Sequence, residues 1–271
     1  MTRAELKKLG RSIRIETLKM ISRSNSSHIG GAFSMADILA VLYGHVLRVD
    51  PQNPRWELRD RFLLSKGHAC ASLYAVLALR DFFDIKELET YAKDGSIFTS
   101  HASHKVPGVE LSTGSLGHAL PVACGMALAA KRRRQSWRVF VVLSDGELNE
   151  GSNWESILFA PHHCLDNLVV VVDYNKIQSL GTVKEVLDIH PIEEKFQSFG
   201  WDTLRVDGHD CNALMLAFEK LPTTLGKPLA IIADTIKGKG VDFMENELLW
   251  HYKTPSEEQF AQALAQLEKE S

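Results

Sequence analysis

The sequence predicts an α/β fold, a doubly wound and mostly parallel sheet with helices on both faces, and three observations carry that prediction. Short β-branched apolar runs at 139–143, 168–172 and 229–233 read as buried strands, each too short for a core helix and bounded by turn signals. Segments with helical spacing alternate with these runs along the chain. Polar oxygens follow the strands directly, at the carboxyl edge where open α/β sheets bind ligands.

Taken in order, Leu6, Leu9, Ile13, Leu18 and Ile21 mark an amphipathic opening helix. The Ser- and Gly-rich stretch 22–33 reads as a loop. Ser34 then reads as the N-cap of a helix burying Ile38, Val41 and Leu42, with Asp37 as a weaker capping-box partner. Residues 61–64 form a short strand leading into Ser65, Lys66, Gly67 and His68, and 69–79 are helical. The Gly-, Ser-, His- and Pro-rich stretch 91–113 reads as a structured functional loop. Residues 114–117 open a helix of small residues over 119–130, expected to be buried, and the basic run 131–134 suits its C-terminal end. Strand 139–143 ends near Asp145, Gly146 permits a tight turn, and 149–161 is helical. Strand 168–172 ends at Asp173, Tyr174 and Asn175. Strands at 203–206 and 229–233 flank a helix at 212–221. A flexible Gly and Lys turn at 235–241, an irregular stretch at 243–253 and an amphipathic helix at 257–269 complete the chain.

With 271 residues and 45% hydrophobic content, the chain can bury a substantial core and is expected to form one domain over 1–271. A net charge of −3 gives no electrostatic case for nucleic acid or an anionic membrane. No segment approaches the ~20 apolar residues of a membrane span. Glu5 and Glu16 stand among the basic residues of a beginning that lacks the apolar core of a secretory signal. Cys70, Cys124, Cys164 and Cys211 have neither CxxC nor zinc-like spacing and read as reduced core residues of a cytoplasmic protein.

Asp145 and Asn175 bring short oxygen donors to one sheet edge. Such donors suit a hard cation, magnesium first and calcium or manganese as substitutes, that shares its remaining positions with phosphate oxygens. A helix start after Gly146 would aim backbone N–H groups at that phosphate. The plain alternative is an aspartate that only caps a helix; the pairing with Asn175 one strand later favours the ligand reading.

These residues resemble the thiamine diphosphate signature, a Gly-Asp-Gly followed one strand later by a pair ending in Asn, with Ser144 and Tyr174 as departures. Further segments resemble transketolases: SNSSHIGG, LSKGHA, PGVELSTGSLGHAL, GELNEG, NKIQSLG and TIKGKGVDFMENELLWHYK match that family in order over nearly the whole chain. The resemblance implies the diphosphate-binding domain of the thiamine diphosphate-binding fold. Asp145, Asn175 and the carbonyl of Ile177 would hold the metal. His68, Gly146 and His251 would contact the diphosphate, Gly114 and Leu116 would line the aminopyrimidine and thiazolium region, and Lys237 would lie near cofactor or substrate.

His28, His101 and His251 would face the substrate hydroxyls and the reacting carbon, where a group titrating near neutrality is useful. A lone loop histidine is more often a surface residue, and that reading stays with His104, His118, His162 and His163. Glu150 and Glu155 suit the positive end of a helix for dipole reasons alone. The resemblance instead makes them part of a buried acidic network linking two active sites across a subunit interface, titrating as a coupled set.

The implied activity is transfer of a two-carbon ketol unit from a ketose phosphate to an aldose phosphate. Segments resembling the family's pyrimidine-binding and C-terminal domains do not follow. A partner subunit carrying the pyrimidine-binding domain is therefore expected, in a dimer of such pairs (α2β2), with this chain inactive alone. The rival readings are the α subunit of a 2-oxo acid dehydrogenase, a deoxyxylulose phosphate synthase-like or acyloin-forming enzyme, and a non-catalytic cofactor-binding scaffold. Asn149-Glu150-Gly151 together with NKIQSLG favours transketolase, and intact metal ligands and histidines argue against a scaffold.

Overall fold

The computed structural model describes residues 1–222 and 224–269; positions 223, 270 and 271 of the expected domain lie outside it. Helices α1 (Arg3–Ser24), α2 (Ile29–Ser34) and α3 (Ala36–Val41) precede strand β1 (Arg61–Leu64), helix α4 (Cys70–Leu79) and helix α5 (Ala119–Arg132). Strand β2 (Val139–Ser144), α6 (Gly151–His162), β3 (Leu168–Tyr174), α7 (Val183–Val186) and α8 (Ile192–Ser198) follow. Strand β4 (Asp202–Asp207), α9 (Cys211–Glu219), β5 (Leu229–Asp234) and α10 (Glu257–Lys269) complete the order.

The five strands pair in parallel in the order β1-β2-β3-β5-β4. Because side chains alternate along a strand, each run of Val, Leu and Ile feeds two cores. Phe140, Val142, Val169, Val171 and Ile231 pack with α1, α3, α4 and α9. Val139, Val141, Val170, Val172 and Ile232 pack with α5, α6 and α8. The doubly wound, parallel architecture read from the sequence is the one observed. Register then fixes the carboxyl edge: Ser144 stands beside Asp173, and Tyr174 beside Asp234. Asn175 and Thr235 therefore leave the sheet level with one another, and Asp145 leaves it one residue earlier.

Several local expectations are corrected. Part of the expected loop 22–33 is helical, with α1 running to Ser24 and α2 starting at Ile29. Ile29 and Phe33 are fully buried, and that packing overrides the poor helix propensity of Gly30 and Gly31. Ser34 is not an N-cap: it ends α2, and its hydroxyl donates to Gly31 O and, at 2.6 Å, to Asp173. Nor does Asp37 close a capping box, because it is held by Arg14. The helix expected from 149 is preceded by a 3-10 turn over Gly146–Asn149. Helix α5 is buried at Ala119, Leu120, Ala123, Cys124, Ala127 and Ala130 but leaves Val122 and Gly125 exposed. Cys164 is exposed rather than in the core, because it sits in a left-handed turn after α6. The 235–241 turn is packed, with Thr235, Lys237 and Val241 buried. Among the described residues no helix is long and apolar enough to cross a membrane.

Arg14 and Asp37 form a buried bidentate pair at 3.1 and 2.5 Å, and His209 Nδ1 lies 2.8 Å from the same carboxylate. Burial alone would raise the Asp37 pKa, but the Arg14 charge and the hydrogen bonds from His209 and Arg14 hold it well below the usual carboxylate range. Its stabilisation is therefore fully present above the unfolded pKa of 3.8 and is lost as pH falls through the folded value. Arg14→Met leaves that carboxylate buried with an unmatched charge and is expected to cost about 3–5 kcal/mol near pH 7 in urea unfolding. The deficit should shrink as pH falls below 4, where protonation removes the charge; a deficit independent of pH would show that packing, not the ion pair, sets it.

Candidate active site

The carboxyl edge of the sheet opens into a cavity of about 260 Å³. Every residue that the resemblance assigns to metal, cofactor or substrate lines it, whereas Glu150 and Glu155, assigned to an interface, do not. The 3-10 turn Gly67–Ala69 after β1 brings His68, the 3-10 turn after β2 follows Asp145, and Asn175 and Ile177 follow β3. From the 235–241 turn after β5 comes Lys237, and from the 3-10 turn Leu248–His251 comes His251. The long loop before α5 supplies His101, Gly114 and Leu116. Gly67 is required at its position, since any Cβ there would collide with the backbone of Thr113.

Asp145 is buried, and its two oxygens accept from Gly146 N at 2.7 Å and Lys176 N at 2.6 Å. Asn175 Oδ1 accepts from Ile177 N at 3.2 Å, while the Ile177 carbonyl accepts from the Lys237 ammonium at 3.0 Å. These are all hard oxygen donors, and one of them already takes a cationic partner. Burial and the neighbouring Asp173 charge push the Asp145 carboxyl up to about 6.

Four imidazoles gather opposite. The ring centres of His28 and His68 are 4.9 Å apart, His28 and His251 5.2 Å, and His28 and His101 6.2 Å. Burial, with His101 and Lys237 nearby, lowers His28 to about 4. Burial and Lys237 lower His251 to about 3, and burial and Lys66 hold His68 well below its ordinary value. Lys237 itself falls to about 8 through burial, with Lys66 adding repulsion. Lys237 Nζ lies 2.9 Å from His251 Nδ1. An ammonium can only donate, so Nδ1 accepts and the ring proton belongs to Nε2. In this cavity Lys237 is repelled by Lys66 while Asp145 stands near Asp173. A polyanion beside the histidines and Lys237, together with a dication at Asp145, would relieve both. The residues present therefore fit a diphosphate with a divalent ion.

Glu150 and Glu155 are exposed on this chain, outside the cavity. The buried acid of that segment is Glu147, which accepts from Ser65 Oγ, from Gly117 N at 2.8 Å and from Ser144 N at 3.2 Å. Sequence spacing cannot distinguish these three glutamates, because the 3-10 turn rotates Glu147 inward. Lys66 and Tyr252 also line the cavity; they fall within the matched segments LSKGHA and TIKGKGVDFMENELLWHYK, but the sequence assigned neither a role. His104, His118, His162 and His163 do not line it.

The lowered His28 and His251 values have a measurable consequence. Both rings should stay neutral in the folded chain from pH 5 to 8, with NMR midpoints near 4 and 3. Below the ordinary value of 6.5 the unfolded chain binds protons that these rings refuse, so their contribution to stability is lost as pH falls. Midpoints near 6.5 would contradict the described packing.

The profile of the family described as transketolase, thiamine diphosphate binding domain, matches residues 6–268. The chain is 40% identical over 259 residues to the 6-deoxy-6-sulfo-D-fructose transketolase subunit SqwG of Clostridium sp. (strain MSTE9), covering 95% of this chain and 94% of that protein. It is 38% identical to one subunit of the apulose-4-phosphate transketolase of Actinobacillus succinogenes, covering 98% of this chain and 97% of that protein. The transketolase structure from Campylobacter jejuni superposes with a TM-score of 0.93 at 31% identity, over 99% of this chain but 43% of that one. The chain thus spans nearly all of the subunit relatives and less than half of the solved transketolase. It belongs to the transketolase family of transferases and carries that family's thiamine diphosphate-binding domain.

Proposed function

We propose that this chain, as one domain, is the diphosphate-binding subunit of a two-chain transketolase, moving a two-carbon ketol unit from a ketose phosphate to an aldose phosphate. One observation carries the reading: Asp145, Asn175, the Ile177 carbonyl, Lys237 and the histidine cluster all border a single cavity. Bound thiamine diphosphate would supply the carbon nucleophile and electron sink for cleaving the bond beside a ketose carbonyl. Asp145, Asn175 and the Ile177 carbonyl would hold magnesium, for which calcium or manganese would substitute. His68, Gly146, Lys237 and His251 would hold the diphosphate oxygens.

The chain's own side chains do the rest. His251, with its proton on Nε2, can donate to an anionic oxygen, and Lys237 keeps that tautomer in place. His28 Nδ1 is engaged by Ser27 Oγ at 2.9 Å, which leaves Nε2 to exchange a proton with a substrate hydroxyl. His101 would face the same hydroxyls, and Gly114 and Leu116 would border the rings of the cofactor. Glu150 and Glu155, exposed on the isolated chain, would meet a second copy and form the acidic network between active sites.

The names and sizes of the subunit relatives support a partner chain that carries the pyrimidine-binding domain and an activating acid, assembled as α2β2. Those relatives are named for a sulfonated and a phosphorylated ketose, so the anionic end of the sugar differs between them. Three buried cysteines without disulfides are consistent with residence in the cytoplasm.

Calorimetric titration with thiamine diphosphate and magnesium tests the cofactor half of this reading. Asp145→Ala is expected to weaken binding by roughly 100-fold, the upper range for disturbing a metal shell. Unchanged affinity would remove Asp145 from the site. Mixing with the pyrimidine-binding partner should turn a silent chain into one with ketol transfer; full activity by this chain alone would contradict the two-chain reading.

A further inference from the structure

A second cavity shares the 235–241 turn with the active site, for Lys237 lines the first and Lys239 the second. Ala4, Lys7, Lys8, Arg11 and Arg14 stand at i, i+3, i+4, i+7 and i+10, so α1 turns one face of cations toward it. Together with Asp37, His209 and Lys239 they enclose about 490 Å³, a volume in the range of small-molecule sites. Like charges in such a row oppose the helix that carries them. They are also concentrated here in a chain whose net charge is −3, so overall composition does not account for them.

The floor of this cavity is built. Arg14 and Asp37 are each more than nine-tenths buried and pair with one another. His209 Nε2 accepts from Ile236 N at 2.9 Å, which puts the ring proton on Nδ1, where it donates to Asp37 Oδ2. The carboxylate lining the cavity is thereby fully engaged. Lys239 reaches Glu245 at 3.1 Å across a partly exposed contact, and Lys7 and Lys8 are exposed. Among the described residues neither Lys7 nor Lys8 belongs to an ion pair.

We propose that this cavity binds a small oxyanion, a phosphate or the phosphate group of a metabolite, at a site separate from that of the diphosphate. Lys7, Lys8 and Lys239 supply point charges at its rim, and the Arg14–Asp37–His209 network fixes the wall behind them. The proposal does not depend on the transketolase reading, because it uses none of the residues in the first cavity.

The test is titration of the chain with inorganic phosphate at constant ionic strength, followed by calorimetry and by the shift in melting temperature. The wild-type chain is expected to bind. Lys7→Glu with Lys8→Glu should weaken phosphate binding roughly tenfold or more while leaving the thiamine diphosphate titration unchanged. Lys7→Gln with Lys8→Gln should give a smaller loss in the same direction, which keeps the test sound if charge reversal disturbs folding. Absence of phosphate binding by the wild type, or equal affinity in all three proteins, would overturn the proposal.

Discussion

The active-site edge depends on one buried ion pair, Lys66 with Asp173, both of them withdrawn from solvent. Four separate parts of the chain meet at the Asp173 carboxylate. Lys66 comes from the end of β1, Ser34 from the end of α2, Thr235 from the end of β5, and Asn175 from beside Asp173 itself. Each is a near neighbour in sequence of a residue facing the cavity: His68, Gly31, Lys237 and Ile177. Burying two charges gains little net stability over apolar packing, whereas removing one partner is costly. The pair is therefore better understood as a device for alignment. Its partners must all be in place, or the carboxylate is left short of hydrogen bonds.

Around that anchor the site is held in electrostatic tension. Burial disfavours the charged forms of Asp145, Lys237, His28 and His251 alike, and unlike groups are not placed to compensate fully. Lys237 donates to the Ile177 carbonyl and to His251, bridging the Ile177 and histidine sides of the cavity. A ligand bringing both negative charge and a dication fits this pattern, since each component meets groups of opposite sign. Functional sites commonly collect such perturbed groups.

Much of this was legible in the sequence, for identifiable reasons. The Val-rich runs of β2 and β3 announce strands buried on both faces, and parallel register then brings Asp145 and Asn175 to the same sheet edge, one residue apart in level. What remained hidden depends on tertiary contact. Ser34 has the composition of a helix cap but serves Asp173, at a sequence separation of 139 residues. Ile29 and Phe33 pull a glycine-rich stretch into α2 because the core takes their side chains. Glu147 is turned inward by a 3-10 turn that no apolar period signals. Glu150 and Glu155 remain outward on a single copy, as an interface role would require.

The proposed clamp is a divalent ion held against a diphosphate by Asp145, Asn175 and the Ile177 carbonyl. Its most direct measurement is an anomalous difference map from crystals of this chain grown with manganese and thiamine diphosphate. A single strong peak within coordination distance of all three oxygens, with phosphate density on its far side, is the predicted result. A peak elsewhere, or an ordered cofactor with no ion touching Asp145, would contradict the account.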